Sequence, residues 1–272
     1  MTDRVFRIGS AACAWSVLAV LVALVGRVLV DGLGGVSWSL LVDVPADAGR
    51  SGGMASILVS TLAVLAIALI VAVPIGLGTA VWLAEFGGRR APAVRVALDL
   101  LATVPSIVHG LFGMAFFSQI LGLGWSLASG GLTVAVMIVP LFARLAEEAL
   151  RAVPDAWRSA GAAAGLDRWQ LLGPVILPAA LPGLVSALVL SIGRVLAESA
   201  ALLFTAGTAL RMPLGPMDPG RVLALHVYTM AVDVPGGQGR AATAALLLFA
   251  VITGTTLFAR WAPHRIAAWV RP

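Results

Sequence analysis

Six long apolar stretches leave this 272-residue chain few folds to choose from. They fall at about 9–30, 54–84, 96–121, 127–145, 178–210 and 241–260, and each meets the roughly 17–25 residues a helix needs to cross a bilayer. Hydrophobic residues make up 60% of the chain and charged residues only 11%, against roughly 25% charged in a soluble domain. The pattern predicts an all-α polytopic membrane protein with six transmembrane helices. The second stretch carries no charge over 31 residues, more than a bilayer core requires at about 1.5 Å per residue. It is expected to tilt, protrude or break near "VPIGLG", where Pro74, Gly76 and Gly78 favour a kink. The fourth is short and interrupted by Pro140. Arg4 and Arg7 ahead of the first stretch imitate a signal peptide, but the small-residue "ADA" at 46–48 lies too far beyond the apolar run for usual cleavage. An uncleaved first helix is expected.

Charge orients these spans. With both termini on one side, Arg4, Arg7, Arg89, Arg90, Arg95, Arg144, Arg151, Arg158, Arg168, Arg260, Arg265 and Arg271 share that side, and Arg50, Arg211, Arg221 and Arg240 face the other. The positive-inside rule then makes both termini cytoplasmic, in a multi-pass protein of the plasma (inner) membrane. The net charge of +5 follows from these Arg-rich loops, and no basic soluble domain for nucleic acid is visible. Every basic residue is Arg, and Lys is absent. A phosphate-cradling P-loop needs its Lys, so a partner must bind any ATP that drives this chain. The single Cys13 offers neither a disulfide nor a cysteine metal site. His109, His226 and His264 are too far apart in sequence for ligand spacing.

Within the fifth stretch stands "SIGRVLAESA", with Arg194 and Glu198 near the middle of an otherwise apolar segment. A charge at the centre of a span costs about 2.5–3.5 kcal/mol on insertion scales. On a helix the two are i and i+4, hence neighbours that partly neutralise each other. They are either a locked structural pair or a waypoint for an anion, for which Arg supplies a permanently charged fork of N–H donors. In the second reading Glu198 accepts a hydrogen bond from the proton of hydrogenphosphate, a proton sulfate lacks at neutral pH. Thr103, Ser106 and His109 surround Pro105, which interrupts a helix and frees backbone groups towards a wet path; packing by small residues accounts for Ser106 equally well, and His109 suits a hydrogen-bonded interior. Arg27 is expected to snorkel, Glu85 and Asp99 to be solvated or paired near the inner interface. The stretch from Arg221 to Asp233 suits a short amphipathic helix on the outer face.

Between the fourth and fifth stretches runs "EEALRAVPDAWRSAGAAAGLDRWQLLGPVILP". Pro154 and Asp155 suit the start of a helix, Ala156 to Ala164 continue it, and Gly165 stops it. Asp167 with Gln170 forms a capping-box pattern for another turn. The pattern predicts two short helices joined by a Gly bend. The first would expose Ala156, Ala160 and Ala163 to a groove on another protein, although pattern alone serves an Ala-rich connector as well.

This segment resembles the EAA loop of ABC-importer permeases: Ser159, Ala160 and Gly161 stand in its first three places, Gly165 in its glycine place, and Val175, Leu177 and Pro178 at its end. Ser159 replaces the usual Glu and Gly161 an Ala, which removes a charge and lowers helix propensity. The resemblance extends to "GGMASILVSTL", "IGLGTAVWLAEF", "VPSIVHGLFG", "EEALRAVP", "LPAALPGLVSALVLSIGR" and "AESAALLFTAG", and is nearest to phosphate-specific transport permeases of the PstA type. His109 stands where that family usually has Tyr, and Ala197, Ser199 and Ala201 where it has Gly, Thr and Pro. The resemblance implies a type I ABC importer permease fold with a cytoplasmic coupling helix, preceded by an extra N-terminal segment at 1–53 made of a cytoplasmic tip, the first transmembrane helix and an outer loop. The permease core would span 54–260, with the coupling loop at 147–178 and a cytoplasmic tail at 261–272. The implied activity is ATP-driven phosphate import rather than covalent chemistry, with Arg194, Glu198, Ser106, Thr103 and His109 along the substrate path. The implied partners are a second permease, a cytoplasmic ATPase dimer holding ATP and Mg, an extracytoplasmic phosphate-binding protein and membrane lipid, with no cofactor bound by this chain. A permease for sulfate or molybdate, a membrane enzyme acting on lipid phosphates, and a reporter of phosphate status are the alternatives; the scattered histidines disfavour the enzyme.

Overall fold

The computed structural model describes residues 2–270, with side chains described from Phe6 to Phe258 and at Trp261. Arg271 lies outside the described residues, as do the side chains of Arg4, Arg260, His264 and Arg265. The helices are α1 (Thr2–Leu33), α2 (Trp38–Val42), α3 (Ala55–Val81), α4 (Ala91–Thr103), α5 (Ser106–Gly113), α6 (Leu127–Arg151), α7 (Asp155–Ala163), α8 (Arg168–Leu171), α9 (Leu177–Leu196), α10 (Ala200–Thr205), α11 (Leu223–Val232) and α12 (Gln238–Val270). Wider π-type turns extend α3 through Trp82–Phe86 and α5 through Met114–Ile120, and link α8 to α9 through Leu172–Ile176. Two-residue strands, β1 (Pro45–Ala46) and β2 (Ser51–Gly52), pair antiparallel beside α2.

Among the described residues five continuous helices are long and apolar enough to cross a membrane, and a bent pair makes a sixth when its two halves are counted as one span. That pair corrects the expected third span at 96–121: its two halves, Gly88–Thr103 and Ser106–Ile120, meet at 93°. The bend follows from local chemistry. Pro105 pushes Val104 out of the helical region (φ −63°, ψ 128°) and cannot donate to the ladder. The fifth span is corrected too. Its helix runs Arg168–Leu196, stops, and restarts as α10, so 197–210 is not a continuation of one helix.

Of the tilt, protrusion or break open to the second span, the break does not occur: α3 continues past Pro74 into the Trp82–Phe86 turn. Gly76 serves packing instead: a Cβ there would lie 2.7 Å from Phe142 Cδ1 on α6. Gly131 makes the reciprocal approach, with Ile67 2.6 Å from its missing Cβ. Small residues at such crossings let backbones come close where lipid offers no hydrophobic drive between helices. α3 and α6 consequently form the most extensive helix pair and carry the main core, including Val64, Ala68, Ala72, Val134, Ile138 and Ala146. α6 also runs unbroken through Pro140, reaching Arg151 rather than ending near 145. α1 packs on α12, where Thr243 Oγ1 donates to Gly32 O at 3.2 Å, and no residue in the apolar stretch of α1 is buried. The helix of the sixth stretch continues to Val270, through most of the segment read as a tail.

At the end of the bundle opposite α7, α11 buries one face and leaves Tyr228, Ala231 and Val232 exposed. Leu223 on it joins Leu40, Met54, Ile57 and Ala244 in a second core. His226 is fully buried on α11, with the backbone of Gly49 (φ 96°) against its ring, so that a Cβ there would lie 2.9 Å from Cε1. Arg221 Nε donates to Thr208 O at 3.1 Å, Arg240 donates to Gly52 O, and burial lowers the Arg221 pKa, with the Asp233 charge acting against it. Burial first, then the Arg221 and Arg240 charges, push His226 down from 6.5 to about 4. A folded state that disfavours the imidazolium is fully stable above the unfolded pKa and loses stability as pH falls from about 6.5 towards 4. The melting temperature of the detergent-solubilised protein is therefore expected to drop between pH 7.5 and pH 5, by a free energy on the order of 2 kcal/mol. His226→Leu should flatten that dependence; an unchanged pH profile in this variant would refute the assignment.

Candidate translocation site and docking elbow

Arg194 occupies the last turn of α9, two residues before its end at Leu196, and not the middle of a span. There a cation meets the unpaired carbonyls and the negative end of the helix dipole. Its side chain is 47% exposed, while that of Glu198 is 3% exposed. The i,i+4 pair exists, with Nη2 3.5 Å from Oε2, and is long for a charge-assisted contact. Glu198 Oε1 is committed elsewhere: it accepts from Ala201 N at 3.1 Å and so caps the start of α10 as a helix N-terminus prefers. The carboxylate holds the restarted helix, and the guanidinium keeps free donors.

The two broken helices meet. α5 packs on α10, where a Cβ on Gly110 would lie 2.8 Å from Ala201 Cα. Alanine at 201, where the resembled family has Pro, gives α10 the N–H that Glu198 accepts. The structure thus brings the α4–α5 break and the α9–α10 break to one region. His109 is buried, with Nδ1 3.4 Å from Pro105 O, as its interior reading expected. Ser106 opens α5 and is half-buried; Thr103 is exposed and donates to Leu100 O at 2.7 Å. Arg27 pairs with Asp31 at 3.5 Å near the end of α1.

At the other end, the loop after α6 folds as the two-helix elbow expected. Pro154 caps α7 and Asp155 begins it. Gly165 adopts φ 77°; its N–H donates to Ala162 O and that of Leu166 to Gly161 O, both at 3.0 Å, the paired bonds of a Schellman end. Asp167 and Gln170 close a capping box, at 2.8 and 2.9 Å. Ser159 and Ala160 are exposed. Gly161 is not a weakness of the helix: a Cβ there would lie 1.9 Å from Leu171 Cδ1, so glycine is what lets α8 fold back on α7. Leu177 and Pro178 start α9 after the wide turn. Between the elbow and the end of α3 lies a cleft of about 550 Å³ lined by Glu85, Arg151, Arg158, Ser159 and Arg168 among others.

Above the elbow a buried acid gathers three arginines. Glu147, 1% exposed, receives Arg95 Nε and Arg144 Nη1 at 2.7 Å and Arg151 Nε at 2.9 Å. Arg144 also reaches Asp99 at 3.0 Å, so Asp99 is paired, and Glu85 pairs with Arg158. The sequence reading counted these arginines as loop charges and passed over Glu147. The signal was present in "ARLAEEALR", where Glu147 is i+3 from Arg144 and i−4 from Arg151. Among the described residues no three His, Cys, Asp or Glu side chains gather as a metal site.

Bent half-helices thus meet inside a bundle of membrane-spanning length, with an interhelical elbow at one end. The family described as "Binding-protein-dependent transport system inner membrane component" matches residues 72–268, and the chain belongs to it. A probable ABC transporter permease protein of Bacillus subtilis, YqgI, is 29% identical over 266 residues, covering 92% of this chain and 90% of its own. A phosphate transport system permease protein of Mycobacterium tuberculosis, PstA 1, is 36% identical over 212 residues, covering 77% and 70%. Among solved structures, a bacterial alginate ABC transporter superposes with a TM-score of 0.69 at 14% identity, covering 96% of this chain and 94% of that one. The MetNI methionine ABC transporter gives 0.60 at 19%, covering 78% and 93%. The fold is that of the type I ABC importer permeases.

Proposed function

We propose that this chain is a permease subunit of an ATP-driven importer of inorganic phosphate. It forms half of a translocation path with a second permease and docks through α7 onto a cytoplasmic ATPase dimer that binds ATP and Mg. An extracytoplasmic binding protein delivers the anion at the α11 end. In this orientation α7, α8 and both termini are cytoplasmic, and the arginines crowded at the α7 end accord with the positive-inside rule. One observation carries the substrate class: the half-exposed Arg194 guanidinium stands beside the meeting of two broken helices while its carboxylate partner is tied to α10. A permanent cation with free N–H donors suits a tetrahedral oxyanion. Relatives named as phosphate permeases support phosphate over sulfate and molybdate. Glu198 contributes by holding α10 in place, and its second oxygen faces Arg194.

Competition in proteoliposomes containing the whole transporter tests the reading. Uptake of labelled phosphate should require ATP, fall strongly with excess arsenate, and be unaffected by excess sulfate or molybdate. Suppression by sulfate or molybdate at equal concentration would replace phosphate with that oxyanion. ATP-dependent uptake of none of them would remove the oxyanion reading.

A further inference from the structure

Four guanidinium groups from four different elements converge on residues 83–85 at the end of α3. Arg95 of α4 and Arg151 of α6 donate to Leu83 O at 3.5 and 3.3 Å. Arg158 of α7 meets the Glu85 carboxylate, Nη2 at 2.8 Å and Nε at 3.2 and 3.3 Å from its two oxygens. Arg168 of α8 donates to Glu85 O. Next to them Phe86 stacks on Trp169 with centroids 4.5 Å apart. The carbonyls at a helix C-terminus lack intrahelical partners and carry the negative end of the dipole. The end of α3 therefore attracts the cations of every element around it.

Arg158 does more than pair with Glu85. Nη1 donates to Val153 O at 2.7 Å and Nη2 to Leu150 O at 2.9 Å, so one guanidinium joins α7 to the ends of both α3 and α6. Its side chain is 23% exposed and that of Glu85 8%. Ser159 and Ala160, the next two residues, are exposed. α7 thus offers one face outward and turns Arg158 into the bundle. α7 also packs on α8, by way of Leu171 over Gly161. The bond to Glu85 also raises the Arg158 pKa above its ordinary value.

We propose that Arg158 is a positioning residue for transport, the joint through which displacement of α7 reaches α3 and α6. The proposal rests on α7 being the helix that docks on the ATPase. A single fork of donors suits the task, because it grips a carboxylate and two carbonyls at once; a lysine ammonium at that place keeps the charge but not the fork. α3 and α6 are the most extensive helix pair of the bundle, so a push at their shared end moves the core as one body.

The test uses the complete transporter in proteoliposomes: both permeases, the ATPase and the binding protein. ATP hydrolysis and uptake of labelled phosphate, or of the oxyanion identified by the competition series, are read on the same vesicles. Retention of the ATPase on the purified permeases is read separately. Arg158→Met and Glu85→Gln should retain the ATPase and continue to hydrolyse ATP, while uptake per ATP falls by about tenfold, within the range usual for coupling between sites. Arg158→Lys should recover a substantial part. A merely structural bridge would change the amount of protein and leave uptake per ATP alone. Wild-type uptake per ATP in both variants overturns the proposal, and so does loss of ATPase retention in Arg158→Met with none in Glu85→Gln. Should Arg158→Met fail to reach the membrane, Glu85→Gln decides, since it leaves the Arg158 bonds to Leu150 and Val153 in place. The docking role itself is read from Gly165→Val, which forces a β-branched residue into positive φ; unchanged ATPase retention there would remove α7 as the docking helix, independently of the uptake ratio.

Discussion

Replacing Glu147 by leucine is expected to destabilise the protein by about 3 kcal/mol, the lower part of the range for removing one partner of a buried ion pair. The acid is 1% exposed and takes three guanidiniums. Its loss leaves Arg95, 24% exposed, with a charge it cannot carry fully into water. Arg144 keeps Asp99, and Arg151, 51% exposed, can reach solvent, which places the cost at the lower part of the range. The detergent-solubilised chain should melt several degrees lower, and its abundance in membranes should fall. Glu147→Gln should be milder, since the amide oxygen still accepts one bond. The neighbouring Glu148 is exposed, and Glu148→Leu should stay within about 0.5 kcal/mol of wild type, as ordinary surface substitutions do. Equal melting of Glu147→Leu and Glu148→Leu would show that the arginine cluster is solvated decoration.

Glu147 also marks where sequence reading stops. Most spans and the α7–α8 elbow were legible because each is written locally: apolar runs, Pro154 at a helix start, Gly165 at a positive-φ stop, Asp167 and Gln170 as a capping box. The gathering of Arg95 from one stretch with Arg144 and Arg151 from another is a tertiary fact. The breaks were hidden for a different reason. Hydropathy reports whether a residue avoids water, and α5 and α10 avoid it by packing on each other and on α6 as well as any lipid-facing helix does. Pro105 was a visible warning of the first break. The second, at 197–199, contains neither Pro nor Gly and is held by the Glu198 cap on Ala201, a contact no periodicity encodes. Gly76 misled in the opposite sense: a residue that favours kinks beside Pro74 proved to be a landing for Phe142.

Arg194→Lys is expected to leave the protein at normal abundance and to cut phosphate uptake to below about a tenth of wild type. Lysine keeps a cation over the C-terminal carbonyls of α9 and beside Glu198, so the structural duties survive, but a compact ammonium cannot offer two parallel N–H bonds to an oxyanion. The structure separates this from the duties of Glu198. Glu198→Gln retains a carbonyl oxygen for Ala201 N and should fold; Glu198→Leu removes the acceptor of the Ala201 N–H and should lower stability by roughly 1 kcal/mol, as a lost helix-capping bond does, and abundance with it. Joining Arg194→Leu to Glu198→Gln leaves no unpaired charge, so the double variant should be abundant and still unable to transport. If the pair were only a lock between charges, that double variant would regain transport along with abundance, and Arg194→Lys would transport normally. Wild-type uptake in both would make Arg194 a partner of its helix end and nothing to the anion. Abundant but inactive protein in both would place the guanidinium on the path, with the α5 and α10 breaks as its walls.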